Sequence, residues 1–371
     1  MRLLRTIPAL VLALAAPAGA ALPPCDGTLR LETTFPLRGI DSAIGIGAAG
    51  DEVWAVSGTL PGNGDYRVGA WHRTAEGWEE LPSPVPPEGE SYNAFAADVD
   101  AGGALWVAGE RLTADGERHL VLRWDGTAWE QMDVPRVGVE GYLADIEVVS
   151  PADVWAVGAY DSRRFLEQPV VMHFDGVEWT RRRVPTPGCC SSLTDVSFGS
   201  ATEGWASGTA GRDLLVHFDG ETWERVPLDY LGRTRLGVVE SAGPGRAWAS
   251  GSTERGGGPS QGSILRWGGT RWRTATTPDP AGKEGYYAID SSPYGVWAAG
   301  ASWSRETRWT PFAIARRDRS WSTIEVERVG GDDQRIVALD ATPEGPVWAA
   351  GEAWDGRDQV LTVHLACSAP Q

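Results

Sequence analysis

Aromatic rings placed among arginines and carboxylates suit sugar and peptide recognition. The ring stacks on an apolar face while a guanidinium takes oxygens by paired hydrogen bonds. Three stretches of this chain carry that combination. Trp303 and Trp309 flank Arg305-Glu306-Thr307-Arg308, Trp354 precedes Asp355 and Arg357, and Tyr160 precedes Asp161, Arg163 and Arg164. With Tyr92, Tyr142 and Tyr287 these give a candidate ligand-binding set of Tyr92, Tyr142, Tyr160, Tyr287, Trp303, Trp309, Trp354, Arg163 and Arg305. Asp161, Glu167 and Glu306 could do acid–base work on a glycosidic bond, but no spacing singles out a pair.

Other chemistries find little support. His173, His217 and His364 take the strand position held elsewhere by Arg123, Arg266 and Arg316, which reads as a repeat slot and not a ligand set. His119 begins a strand and His72 is isolated, so no metal site and no cofactor are expected. Asp98-Val99-Asp100-Ala101-Gly102 lacks the later carboxylate of a calcium loop and serves as a turn. Gly256-Gly257-Gly258 precedes no helix that could supply a phosphate-binding dipole. No Gly-x-Ser-x-Gly turn opens a helix.

The elements that position these residues come from a repeat. Trp54, Trp106, Trp155, Trp205, Trp248, Trp297 and Trp348 each open a Trp-small-small-Gly pattern, lengthened by one residue after Trp54, at spacings of 52, 49, 50, 43, 49 and 51 residues. A sustained period near 50 is a propeller signature. Each period holds four strand signals, labelled a to d. In the third, these are Leu143 to Val149, Val154 to Gly158, Val170 to Phe174 and Glu178 to Val184, stopped by Pro185. Asp125-Gly126, Asp175-Gly176 and Asp219-Gly220 mark tight c–d turns, with Gly268-Gly269 in their place later. The fold class is therefore all-β, a seven-bladed propeller. Sixteen of the nineteen tryptophans recur at repeat positions, which assigns them to packing between sheets.

The last repeat lacks its d strand, and Leu31 to Phe35 followed by Pro36 supplies one at the other end of the chain. The N-terminal segment is thus predicted to complete blade seven and remove an open edge. This closure sets Cys25 and Cys367 on either side of a covalently broken c–d turn, where a disulfide would replace it. Cys189 and Cys190 are then left either as a vicinal disulfide, strained by the short Cα separation, or as two thiols.

Met1 to Ala20 reads as an export signal, with Arg2 and Arg5, an apolar run from Ile7 to Ala16, and Ala18-Gly19-Ala20 for cleavage. Residues 21–371 are then one secreted, periplasmic or cell-surface propeller, expected to be a monomer with no membrane span in the mature chain. A net charge of −17 argues against nucleic acid and anionic membranes as partners.

Leu122-Arg123-Trp124-Asp125-Gly126-Thr127-Ala128-Trp129 and Asp153-Val154-Trp155-Ala156-Val157-Gly158 resemble a repeat of secreted bacterial propeller proteins, loosely likened to Kelch and galactose-oxidase propellers. The resemblance implies the architecture over nearly the whole mature chain and no single activity. Galactose-oxidase copper chemistry is not implied, because no histidine pair falls in the loops of the relevant face. The Asp-Gly-x-x-Trp turn resembles a sialidase Asp-box with one residue too few.

In such a ring the d–a and b–c connections share one face. Trp303, Trp309 and Trp354 fall in b–c loops there, as does Tyr160, while Tyr92, Tyr142 and Tyr287 lie in or beside d–a connections. The leading expectation is a non-catalytic binding protein using this face for a glycan or an extracellular protein. A carbohydrate-active hydrolase or lyase and a structural scaffold are the competing classes.

Overall fold

The computed structural model of the protein describes residues 28–37, 40–60, 67–162, 167–185, 188, 190–211, 213–228, 231, 234–253, 261–278, 283–317, 319–329, 333–343, 345–354 and 359–367. The expected signal segment, Cys25, Cys189 and Arg163 lie outside the described residues, so neither cysteine pairing falls within them. The side chain of Cys367 is likewise outside.

Seven four-stranded antiparallel sheets follow one another, each in the order a-b-c-d. Blade one runs Ile40–Ala49, Glu52–Leu60, Arg67–Thr74, Gly77–Glu80, and blade two Ser91–Val99, Leu105–Thr113, Gly116–Trp124, Trp129–Gln131. Blade three is Glu140–Ser150, Asp153–Asp161, Gln168–Phe174, Trp179–Arg182, and blade four Ser191–Ser200, Glu203–Ala210, Asp213–Phe218, Trp223–Arg225. Blade five is Thr234–Ser241, Ala247–Thr253, Gln261–Trp267, Trp272–Thr274, and blade six Lys283–Ser292, Gly295–Ser304, Arg308–Arg317, Ser320–Ile324. Blade seven takes Gln334–Ala341, Pro346–Trp354 and Gln359–Cys367 from the C-terminal end and Arg30–Pro36 from the N-terminal end. The ring closes as the strand count required.

The closing strand pairs antiparallel from Arg30↔Leu365 to Pro36↔Val360. Leu29 adds a parallel bridge to Val326 of blade six, through Leu29 N–H to the Glu325 carbonyl (2.8 Å) and Glu327 N–H to the Leu29 carbonyl (2.9 Å). Its side chain is fully buried between blades six and seven, beside Trp297, Ile324 and Ile336. One short segment therefore joins two sheets.

The repeated glycine has a steric cause. Every a strand carries a register shift at the same level, between Ala43/Gly45, Ala94/Ala96, Leu143/Asp145, Leu193/Asp195, Leu236/Val239, Tyr286/Ala288 and Ile336/Ala338. The bulge pushes an a-strand carbonyl toward strand b. A Cβ at Gly109, Gly158, Gly208 or Gly300 would collide with that oxygen, so only glycine fits.

At the c–d turns Asp125 Oδ1 accepts from the N–H groups of Thr127 (2.8 Å) and Ala128 (2.9 Å), and Asp175 and Asp219 repeat the motif. Gly126, Gly176 and Gly220 follow at φ 97°, 92° and 100°, which a side chain would resist.

Register corrects the histidine slot. The residues opposite the strand-b tryptophans in strand c are His72, Arg123, His173, His217 and Arg266. His72 thus belongs to the slot, whereas His364 pairs with Ala349 and Arg316 with Val296. A slip of one residue sends a strand side chain to the other face. His364 instead points at the Glu327 carbonyl (2.9 Å). Burial pushes its pKa down to about 4, so the neutral ring donates that bond.

Strand-b tryptophans of successive blades are flanked by their own blade's slot residue and by an aromatic of the next blade. Trp155 stacks on His173 (4.1 Å) and meets Phe218 at 5.0 Å, while Trp205 meets His217 (4.3 Å) and Trp267 (5.1 Å). Trp54, Trp106, Trp205, Trp272 and Trp297 are at most 1 % exposed. The packing role assigned to the repeated tryptophans is what the structure shows.

Carboxylates lace neighbouring a strands together. Asp98 accepts from Val148 N–H (2.6 Å), Asp145 from Val196 N–H (2.8 Å), Glu147 from Phe198 N–H (3.1 Å) and Asp195 from Val239 N–H (2.6 Å). Asp290 accepts from Ala341 N–H (2.6 Å), and Asp340 from Ala48 N–H (2.6 Å) across the closing seam. Glu240 takes the hydroxyls of Ser197 (2.9 Å) and Ser291 (2.5 Å). Blade one contributes Gly45 and Gly47 at this level, because Ala97 and Val99 press against them.

Candidate functional site

The strands reach further than the repeat pattern suggested, and this moves the candidate aromatics. Trp303 and Trp309 are not loop residues. They are directly paired in strands b and c of blade six, next to the last pair, Ser304↔Arg308. Paired residues share a face, so both indoles project from the same side of the hairpin. Trp354 ends strand b of blade seven. Tyr160 lies in strand b of blade three, and Tyr92, Tyr142 and Tyr287 lie in a strands.

Trp309 is 38 % exposed and Trp354 49 %, whereas no other tryptophan is an exposed large hydrophobic. Trp303 is half-buried and Arg305 exposed. A clamp that the sequence did not signal fixes the hairpin. Arg308 forks onto Asp333, with Nη2 at 2.8 Å and Nε at 3.2 Å from Oδ2, while Trp309 N–H donates to Oδ1 at 3.1 Å. Asp333 belongs to the d–a connection of blade seven, so the platform is tied across two blades. Arg308 holds the Asp333 carboxyl below its usual range. Nearby Arg335 forks onto Glu352 Oε2 (2.9 and 2.7 Å), and Glu352 Oε1 accepts from Ala43 N–H (3.0 Å) of blade one.

The tyrosines are engaged internally. Tyr92 is 4 % exposed, and its hydroxyl donates to Gln131 Oε1 at 2.8 Å. Tyr160 lies under the Arg181 guanidinium (4.7 Å), which also donates to its hydroxyl (2.9 Å). Tyr142 is half-buried, donates to Glu167 Oε1 at 2.8 Å and meets Phe95 edge-on. Burial first, then Glu167, raises its pKa. Glu110, also raised by burial, accepts from Asn93 (2.9 Å). Next to it His119, lowered to about 4 by burial, donates to the Ala159 carbonyl. Burial also raises the Tyr287 pKa.

On the axis, a cavity of about 1360 Å³ is lined by all seven a strands. Ile44, Phe95, Ala144, Thr194, Tyr287 and Val337, at the bulges, form a collar within it, and the cavity extends to the a–b turns at Gly50, Ala101 and Tyr294. Among the described residues no group of three or more His, Cys, Asp or Glu could hold a metal ion, and no helix is long and apolar enough to cross a membrane.

These features define a closed seven-bladed β-propeller with Trp309 and Trp354 exposed at the b–c ends of adjacent blades. Two solved structures show the same fold. A polysaccharide lyase, an ulvan lyase of family PL25, superposes with a TM-score of 0.56 at 12% identity, covering 93% of this chain and 96% of that one. YCF48 from Cyanidioschyzon merolae gives 0.53 at 13% identity, covering 90% and 98%. No protein-family model matches the sequence, and no curated protein matches it.

Proposed function

We propose that the protein is a non-catalytic, exported binding protein that recognises a glycan on its d–a/b–c face. The observation behind this reading is the exposure of Trp309 and Trp354 alone among nineteen tryptophans. Both stand outside the repeat positions, on adjacent blades. A stacking platform held by the Arg308–Asp333 clamp loses little side-chain entropy on binding. Trp303 shares the hairpin face with Trp309, and Arg305 is exposed in the same hairpin. Tyr92 and Tyr160 serve as buttresses, not contacts. Titration of intrinsic fluorescence with an oligosaccharide panel is expected to quench and blue-shift the signal for at least one member. Trp309→Ala and Trp354→Ala should each weaken that binding roughly tenfold or more, because stacking contacts of this kind contribute about 1–3 kcal/mol. Unchanged affinity in both variants counts against the reading.

One observation favours a catalytic alternative. Tyr142 with Glu167 and the raised Glu110 gather groups of different proton affinity at the top of blades two and three, the arrangement acid–base chemistry needs. Incubation with acidic and neutral polysaccharides should then release unsaturated or reducing ends. Tyr142→Phe should cut turnover at least a hundredfold while leaving the melting temperature nearly unchanged. No turnover on any polymer removes this alternative.

A further inference from the structure

Three blades set opposite charges together at their a–b end, and blade five sets two like charges there. Two positions before the strand-b tryptophan stand Glu52, Asp153 and Glu203 in blades one, three and four, facing the slot histidines His72, His173 and His217 at 3.5, 2.8 and 3.8 Å. In blade five that position is Arg246 and the slot is Arg266, so both members of the pair are cations. The next blade adds a third. Where blades two to five place Trp124, Phe174, Phe218 and Trp267 in strand c, blade six has Arg316. Arg266 and Arg316 lie 5.6 and 5.1 Å from the Trp248 ring centroid. Blade one carries Arg73 at the same position, 5.2 Å over Trp348, but Glu32 neutralises it at 3.2 Å.

Among the described residues no carboxylate lies within ion-pair distance of Arg246, Arg266 or Arg316. Nearby acids are occupied. Glu203 accepts from Gly245 N–H through both oxygens (2.9 and 3.0 Å), Glu240 holds Ser197 and Ser291, and Asp290 holds Ala341 and Ser291. Burial, Arg266 and Arg319 push the Arg316 pKa down, as expected for uncompensated like charges. All three arginines line the axial cavity, with the 37 % exposed Tyr294 on the same rim. In a chain of charge −17, these cations at an open mouth have no acidic partner among the described residues.

We propose that the a–b mouth between blades five and six binds an oxyanion (carboxylate, sulfate or phosphate) through Arg246, Arg266 and Arg316. Trp248 orients two of the guanidinia through its ring face, which fixes their N–H edges for bidentate contact. Deeper in the channel the lining carries the carboxyls of Asp98, Asp145, Asp195 and Asp290, so the cationic patch is confined to the mouth. The site lies opposite the tryptophan platform and does not depend on it. A free inorganic anion and the acidic group of a sugar share this chemistry.

The test titrates the purified protein with sodium phosphate, sodium sulfate and sodium glucuronate at ionic strength matched with chloride, reading melting temperature and tryptophan fluorescence. A saturable rise in melting temperature above the chloride control is expected for at least one anion. Response to phosphate or sulfate alone identifies an inorganic anion, and preference for glucuronate an acidic sugar. Arg246→Glu installs the carboxylate found in blades one, three and four. It should raise the ligand-free melting temperature and weaken the anion response roughly tenfold or more. Arg246→Gln gives the same readout should the charge reversal fail to fold, and Trp309→Ala should leave the response intact. The proposal is overturned by no saturable response to any of the three anions, or by a full response in a folded Arg246 variant.

Discussion

A chain that begins at Leu37 will lose its cooperative thermal transition or melt far below the full-length protein. The missing segment is the outer strand of blade seven, so the long edge at Gln359–Cys367 becomes unpaired. Leu29, fully buried, leaves the core shared with blade six, and Phe35 leaves its stack on Trp71 (4.7 Å) in blade one. Burial of Leu29 alone contributes about 1.5–3 kcal/mol, and the strand pairing and two aromatic contacts add to it. Against a total of about 5–15 kcal/mol for a typical domain, that loss is decisive. Leu29→Ala is the milder probe, expected to cost about 2–5 kcal/mol by leaving a cavity between sheets. Denaturant unfolding of both chains measures the effect. A shortened chain as stable as the parent would remove the clasp from the account of this fold.

Stability will fall as pH rises from about 4 to above 7, the reverse of the common pattern for an acidic protein. Burial raises Asp98 to about 6 and Asp145 to about 7, and lifts Glu147, Asp195 and Asp290 well above their usual range, with Glu240 also raised. Unfolded carboxyls titrate near 4. Between those values the folded ring holds protons that the unfolded chain has released, so each pH step costs stability. His119 and His364, lowered to about 4 by burial, act in the opposite sense up to the unfolded histidine value near 6.5. They offset part of this, leaving a net fall on the order of a few kcal/mol across the window. Below about pH 4 the sign reverses. Asp125, Asp175 and Asp219 are held low by their turn hydrogen bonds, Asp125 to about 2, and lose that contribution as they protonate. The optimum is therefore expected near pH 4–5. Asp145→Asn keeps an acceptor for Val196 N–H without the charge, and should flatten the profile while stabilising the protein at pH 7.5. Urea midpoints at pH 4.5, 6 and 7.5 test this, and midpoints that climb with pH would refute it.

The ring explains why some residues could be read in advance and others could not. Trp-small-small-Gly repeats because an indole must fill each interblade space and a bulge carbonyl excludes any Cβ at Gly158 and its equivalents. These constraints act within one sheet and its neighbour, so they recur at every period and show in the sequence. The lacing carboxylates were visible only as unremarkable acids. Asp98 passed as part of a turn, since its partner Val148 lies 50 positions away. The histidine slot was misread at His72 and His364 because alignment by motif missed one residue of register, which in a strand reverses the side.

Local sequence sufficed for blade number, strand order, the shared closing blade and the structural role of the repeated tryptophans, all of which follow from short-range periodicity and steric exclusion. Tertiary packing alone decided which aromatics face solvent, that Asp333 clamps Trp309, and that Arg246, Arg266 and Arg316 line one cavity with no acid paired to them among the described residues. Those outcomes depend on contacts between different blades, whose distances no linear spacing encodes.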